Sequence, residues 1–392
     1  MIFNTWDYYL LFLIPSAIVC RAASPLLRPW VIFTSGGLFF TYFSYTQFGG
    51  AAGAACLAIF LWESLVSRFY KPSSWICWFG VTQTVLFLAL FKYRNFLTGL
   101  YWRDPAHNPL YWRNAFLPLG ISFFTFEFVH YAVDRYRNRT EEGSVTEYLA
   151  FILFFPTMVA GPIKRYQDFL PKLRGISREW VVDWQRGFTR ILTGLVKKFA
   201  VADVLTAYTS HLNWTDISRA QRGILPLWLA AYGIKIYADF SAYSDIAIGS
   251  ARLFGIRVPE NFDWPYLRTN ITDFWRHWHM SLTNWLIDYI YIPLGGSRGA
   301  AGQVYVNILV TMLVSGIWHG AGIHFIVWGL LHGILLAIRR AWRQIRPMPA
   351  KPRLGSQLGS WLLTYVAVNL AWAFFCMDVH TALFFLRRLL VG

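Results

Sequence analysis

The chain has 392 residues, of which 56% are hydrophobic and only 14% charged, with 20 Trp, 21 Tyr and 33 Phe. That balance excludes an ordinary soluble domain, because a hydrocarbon core about 30 Å thick takes about 20 apolar residues to cross as helix and stretches near that length recur throughout. The net charge of +16, from 36 Lys and Arg against 20 Asp and Glu, sits mainly in connecting segments, so membrane lipid is an expected partner and nucleic acid is not.

The sequence therefore predicts an all-α, polytopic membrane protein forming a single domain over 1–392. In chain order the apolar runs are Tyr8–Cys20, Trp30–Tyr45, Ala51–Val66, Trp75–Phe91, Phe116–Val133, Tyr148–Ile163, Phe188–Tyr208, Ile224–Phe254, Val304–Trp318, Gly322–Ile338 and Trp361–Met377. Several are short or interrupted by Pro and Gly, which sets the expectation at roughly ten to twelve spans with re-entrant or interfacial helices among them. The N-terminal run lacks a basic leader and a small-residue cleavage site, so it reads as a retained first helix. Cys20, Cys56, Cys77 and Cys376 lie in apolar runs without metal or disulfide spacing and read as packed thiols. Basic residues concentrate in Lys164–Arg190, with Lys197 and Lys198 beyond, and in Arg339–Arg353, which the positive-inside rule places in the cytoplasm. That charge sets topology and binds anionic lipid; it also suits attraction of a phosphate-bearing donor.

Up to about Val133 the chain is plain apolar helix, whereas from Phe151 onward polar and ionisable residues interrupt it. Phe155–Tyr166 ends an apolar run with Gly161-Pro162 and a basic pair, the pattern of a broken or re-entrant end. Lys235 and Asp239, and Ser241 and Asp245, stand i,i+4 in one apolar segment, where each carboxylate finds a local partner and a structural role is expected before a catalytic one. Asp273–Ile292 mixes Trp275, Trp278 and Trp285 with Arg276, His277 and His279, which suits an interfacial or a partly buried helix better than a lipid-facing span. Pro293–Gly299 is Gly-rich without P-loop spacing and reads as a tight turn.

His319 closes the run Val304–Trp318 just before Gly320-Ala321-Gly322 breaks the helix. An ionisable group at such a break points to function, although a hydrogen-bonded core histidine beside a Gly316/Gly320 packing pair explains the stretch equally well. His279, in Trp275-Arg-His-Trp-His-Met-Ser281, competes with an anchoring role. His130, His277, His324 and His332 have weaker claims; the last two lie eight apart on one helix face, but with no carboxylate or Cys spacing that would make a metal site.

These stretches taken together resemble the membrane-bound O-acyltransferases, and within them the alginate O-acetyltransferase branch. The resemblance is carried by Leu117–Phe126, Phe154–Ile163, Asp239–Gly249, Pro259–Phe262, Phe274–Leu282, Asp288–Gly296 and Gly316–His319-Gly320, in the family's order. The family's D-alanyl transferase branch shares the Phe-Phe-Pro-Thr and Trp-His-Met-Ser motifs, but Tyr291-Ile-Pro-Leu-Gly-Gly296 favours the alginate type. Ala242 stands where that motif usually has Gly, and relatives usually continue through further membrane helix beyond the position of Gly392.

The resemblance implies a funnel and tunnel through the protein, with His319 and His279 as its catalytic residues. Trp318, Asp239, Ser241, Asp245, Trp278, Arg276 and Ser281 follow as candidate substrate-binding residues, with no metal. It implies no permanently bound cofactor: acetyl-CoA or another acyl thioester, such as one on an acyl carrier protein, is the donor substrate. A separate periplasmic or extracellular acyltransferase is the implied partner, and a bacterial inner membrane the implied location. The expected chemistry has His319 as general base on an acceptor hydroxyl, with His279 orienting the donor or stabilising negative charge. D-alanyl transfer from a carrier-protein thioester is the alternative, and a transporter or flippase a more distant one.

Overall fold

The computed structural model describes residues 2–68, 74–102, 104–113, 116–176, 180–345 and 354–391. Arg178 and the residues 346–353 of the two expected basic clusters lie outside these. All regular structure in the described residues is helical. The principal helices are α1 (Tyr8–Ala22), α2 (Arg28–Arg68), α3 (Trp75–Tyr101), α4 (Ile121–Tyr136), α5 (Val145–Ile152), α6 (Tyr166–Arg174), α7 (Trp180–Val196), α8 (Leu225–Leu253), α9 (Ile271–His277), α10 (Met280–Leu286), α11 (Ala301–His319), α12 (Ile323–Ile345), α13 (Leu354–Cys376) and α14 (Val379–Leu390).

Five helices among the described residues are long and apolar enough to cross a membrane: Arg28–Val66, Trp75–Tyr101, Ala301–His319, Ile323–Ile345 and Leu354–Cys376. Two expected runs, Trp30–Tyr45 and Ala51–Val66, fuse into α2, which turns at Gly49 (φ 75°), a backbone state that glycine reaches at no steric cost. The expected run Tyr148–Ile163 does not form one span. It gives the eight-residue α5, a single turn at Phe155–Met158, and irregular chain through Gly161-Pro162. Pro156 and Pro162 cannot donate to a helical ladder, so the run breaks where they fall. α8 is 29 residues long, about 43 Å at 1.5 Å per residue, but carries charge along its length.

The chain separates into two compact units, the division falling within α8 after Ala242. The first comprises Met1–Leu195 and Tyr243–Pro259. Its core is aromatic: Phe39, Phe154, Phe155, Tyr148 and Tyr166 are fully buried, and Phe39 stacks on Phe155 with ring centroids 4.9 Å apart. Here much of the first basic cluster is consumed internally. Lys164 pairs with Glu127 at 2.5 Å, Arg174 with Glu147 at 2.6 Å and Arg190 with Asp245 at 2.6 Å. Cations that on sequence alone set topology thus satisfy carboxylates held out of water.

The second unit comprises Val196–Ala242 and Glu260–Gly392. α11 and α12 pack so closely that a Cβ added to Gly329 would lie 2.5 Å from the Met312 carbonyl oxygen and 3.1 Å from Gly316 Cα. Small residues permit that approach. Gly316 therefore packs against α12 at Gly329, while Gly320 lies against the Phe325 ring.

Candidate active site

His319 is the last residue of α11 and is half-buried. Its ring lies 4.9 Å from Trp318, 4.9 Å from Trp328 on α12 and 5.1 Å from Phe375 on α13, centroid to centroid. Trp318 in turn faces His279 at 6.1 Å. The two histidines expected from sequence therefore both lie against one indole, although they stand 40 positions apart in the chain (319 − 279).

His279 is the more unusual of the two. It is 1% exposed, and neither ring nitrogen has a hydrogen-bond partner among the described residues. Its backbone is left-handed (φ 44°, ψ 53°) where it caps the N-terminus of α10. For a residue other than glycine that state is strained and persists where surrounding contacts hold it. Asn261 supplies them: its carbonyl accepts the Met280 N–H at 2.9 Å, and its Oδ1 accepts the Ser281 N–H at 3.3 Å and hydroxyl at 2.6 Å. Packed against Phe240 with ring centroids 4.6 Å apart, and lying outside the five apolar helices, the imidazole is pulled down to about 3 by burial. It is held neutral, with its nitrogens ready to pair with a ligand.

The other expected residues divide between lining, packing and ion pairing. Ser281 is committed to Asn261, and Trp278 is a buried wall against Phe262 at 5.1 Å and Trp372 at 5.1 Å. Asp239 does not pair with Lys235. Its partner is Lys198 at 2.9 Å, a long-range contact that residue spacing does not reveal. Ser241 donates to the Ala238 carbonyl at 3.3 Å rather than to Asp245. Asp245 belongs to the first unit with Arg190. The weaker histidines are engaged elsewhere: His130 Nε2 accepts the Tyr166 N–H, His277 Nδ1 meets the Asp273 carbonyl oxygen, and His324 Nδ1 meets the Met377 carbonyl oxygen. Sequence reasoning missed Asn261 as a site residue, though its motif was visible.

Arg276 opens onto a feature that hydropathy does not disclose, a cavity of about 580 Å³. Trp275, Leu286, Ile308 and Met312 give it apolar walls, while Arg276, Arg339, Arg340 and Arg343 make its rim cationic. Met312 precedes His319 by seven residues on α11, about 11 Å at 1.5 Å per residue.

The family model of the membrane-bound O-acyltransferases, MBOAT, matches residues 54–377. This chain belongs to that family. It is 39% identical over 306 residues to a probable alginate O-acetylase, AlgI, of Pseudomonas aeruginosa, a match covering 76% of the chain and 56% of the relative. A peptidoglycan O-acetyltransferase of Helicobacter pylori is 34% identical over 334 residues, covering 76% of the chain and 60% of the relative. A teichoic acid D-alanyltransferase of Bacillus subtilis is 29% identical over 301 residues, covering 72% of the chain and 74% of the relative. The chain spans somewhat under three-fifths of the length of the Pseudomonas aeruginosa relative. Within this MBOAT protein the matched residues include both histidines and Trp318.

Proposed function

We propose that this chain transfers an acyl group, acetyl in the first instance, from a cytoplasmic thioester to a hydroxyl acceptor of an extracytoplasmic polysaccharide or cell-envelope glycan, in a bacterial cytoplasmic membrane. The observation that carries the reading is the ring series His279, Trp318, His319, the last two at the end of α11, the helix whose Met312 lines the arginine-rimmed cavity. Arg339, Arg340 and Arg343 fall in the second basic cluster, which the positive-inside rule assigns to the cytoplasm, so the donor enters from that side. Family membership and the acetyltransferase relatives supply the reaction class.

In the proposed step His319 takes the proton of the acceptor hydroxyl as its oxygen attacks the thioester carbonyl. The tetrahedral oxyanion then collapses, the C–S bond breaks, and the imidazolium returns the proton to the leaving thiolate. His279, neutral and with no partner for its nitrogens among the described residues, contacts the donor or the acceptor and fixes its orientation. A separate extracytoplasmic acyltransferase receives the product or the acyl group.

The test uses purified chain with labelled acetyl-CoA and measures transfer with and without acceptor glycan. His319→Ala at unchanged thermal stability should lower the rate by about 10³-fold, the range of general acid–base contributions; retained transfer refutes the assignment. The D-alanyltransferase similarity favours a second arm in the same assay, with a D-alanyl carrier protein as donor. Activity there and not with acetyl-CoA would replace acetyl by D-alanyl.

A further inference from the structure

α12 places Trp328 and His332 four residues apart, hence on one face. Both are fully buried, and their rings lie 4.9 Å apart, centroid to centroid. Trp275, whose side chain also lines the arginine-rimmed cavity, donates its indole N–H to His332 Nδ1 at 3.2 Å. An indole nitrogen only donates, so Nδ1 must hold a lone pair, and in a neutral imidazole the proton then resides on Nε2. His332 Nε2 and Trp328 Nε1 are thus both N–H donors, and neither finds an acceptor among the described residues. Two unsatisfied donors at full burial, on one helix face and with the Trp328 ring 4.9 Å from His319, ask for an acceptor that the described residues do not supply.

We propose that the Trp328 Nε1–H and His332 Nε2–H form a donor pair for the carbonyl oxygen of the acyl thioester during transfer at His319. The inference rests on the reading of His319 given above. As the acceptor oxygen bonds to the carbonyl carbon, the C=O electron pair moves to the oxygen, and the two N–H groups meet the charge that develops there. The oxygen's electron pair re-forms the C=O bond as the C–S bond breaks, its bonding pair leaves on sulfur, and the thiolate takes the proton held by His319. Trp275 is then a positioning residue: by occupying Nδ1 it fixes the tautomer that leaves a proton on Nε2. The Gly316–Gly329 contact holds α12 against α11 so that the Trp328 ring stays 4.9 Å from His319.

Trp328→Phe keeps most of the ring and removes the N–H; His332→Phe removes the second donor, whereas His332→Gln keeps both an acceptor for Trp275 and a donor. Trp328→Phe and His332→Phe should each lower kcat about 10²-fold with the KM for acetyl-CoA nearly unchanged, the scale of losing one oxyanion donor, and His332→Gln should recover most of it. Equal kcat in all three variants, or a KM rise that accounts for the whole loss, overturns the proposal. A second measurement needs no turnover. Acetyl-CoA labelled with ¹³C at its carbonyl is bound to His319→Ala, and the carbonyl stretch is read by infrared difference. A stretch lowered from its value in water, and rising again when Trp328→Phe is added, supports the donor pair. A stretch indifferent to Trp328→Phe and His332→Phe, or no bound carbonyl signal, overturns it. Failure of the His319 assignment reads out separately, as acyl transfer that survives His319→Ala.

Discussion

Asn261→Ala tests whether the left-handed backbone of His279 is held from outside. The substitution removes Oδ1, the acceptor for the Ser281 N–H at 3.3 Å and the Ser281 hydroxyl at 2.6 Å, while the main-chain bond to Met280 stays. Ser281 is buried, so each hydrogen bond lost with Oδ1 costs about 1–2 kcal/mol and the pair about 2–4 kcal/mol. At about 2 cal/mol/K of unfolding entropy per residue, that is a fall in Tm of about 2–5 °C. Freed of its clamp, His279 relaxes from a conformation worth about 1–3 kcal/mol of strain, and its ring leaves its place beside Trp318. A shift of about 1 Å is enough to lower kcat about 10²-fold. Thermal unfolding in detergent and acetyl transfer from acetyl-CoA are the two assays, run also on Ser281→Ala and the double variant. The two substitutions should be coupled by about 1 kcal/mol, because each removes one end of the same bond. Additive losses, or an Asn261→Ala protein with wild-type Tm and kcat, would refute the clamp.

Two more outcomes follow from buried charge. Lys164 and Glu127 are 2% and 4% exposed and pair at 2.5 Å, so Lys164→Met alone should destabilise by about 3–5 kcal/mol, and adding Glu127→Gln should restore most of it; chemical unfolding of the three variants decides. For His279 the folded value near 3 lies below the ordinary 6.5, so the folded chain refuses a proton that the unfolded chain accepts. Its contribution to stability is complete above pH 6.5 and is lost as pH falls toward 3, at about 1.4 kcal/mol per unit. His279→Gln should flatten the acid side of the stability profile, and an unchanged slope would show that the ring is not buried in the neutral form.

Much of the candidate site was legible as a list of residues and very little of it as geometry. His319 stood out because an apolar run ends on it and glycines follow, a purely local pattern. The Trp-His-Met-Ser motif marked His279, yet its left-handed backbone and the Asn261 clamp depend on two segments meeting, which no periodicity records. The carboxylates of α8 illustrate the same limit. Local spacing offered Lys235 to Asp239, whereas folding brings Lys198 to 2.9 Å, a contact that attraction at short range and partly out of water strengthens. The run through Pro156 and Pro162 failed as a span because hydropathy averages over residues that cannot continue a helix.

By itself, then, the sequence determined that the chain lives in a membrane, that its backbone is helical, and which histidine ends an apolar run, since these follow from apolar content and from backbone groups that lipid cannot hydrogen-bond. The tertiary structure alone decided which rings lie beside that histidine, which cations are spent on buried carboxylates and which remain around the cavity, and which tautomer His332 adopts. Those depend on contacts between residues far apart in the chain, and their energies exist only once the helices have packed.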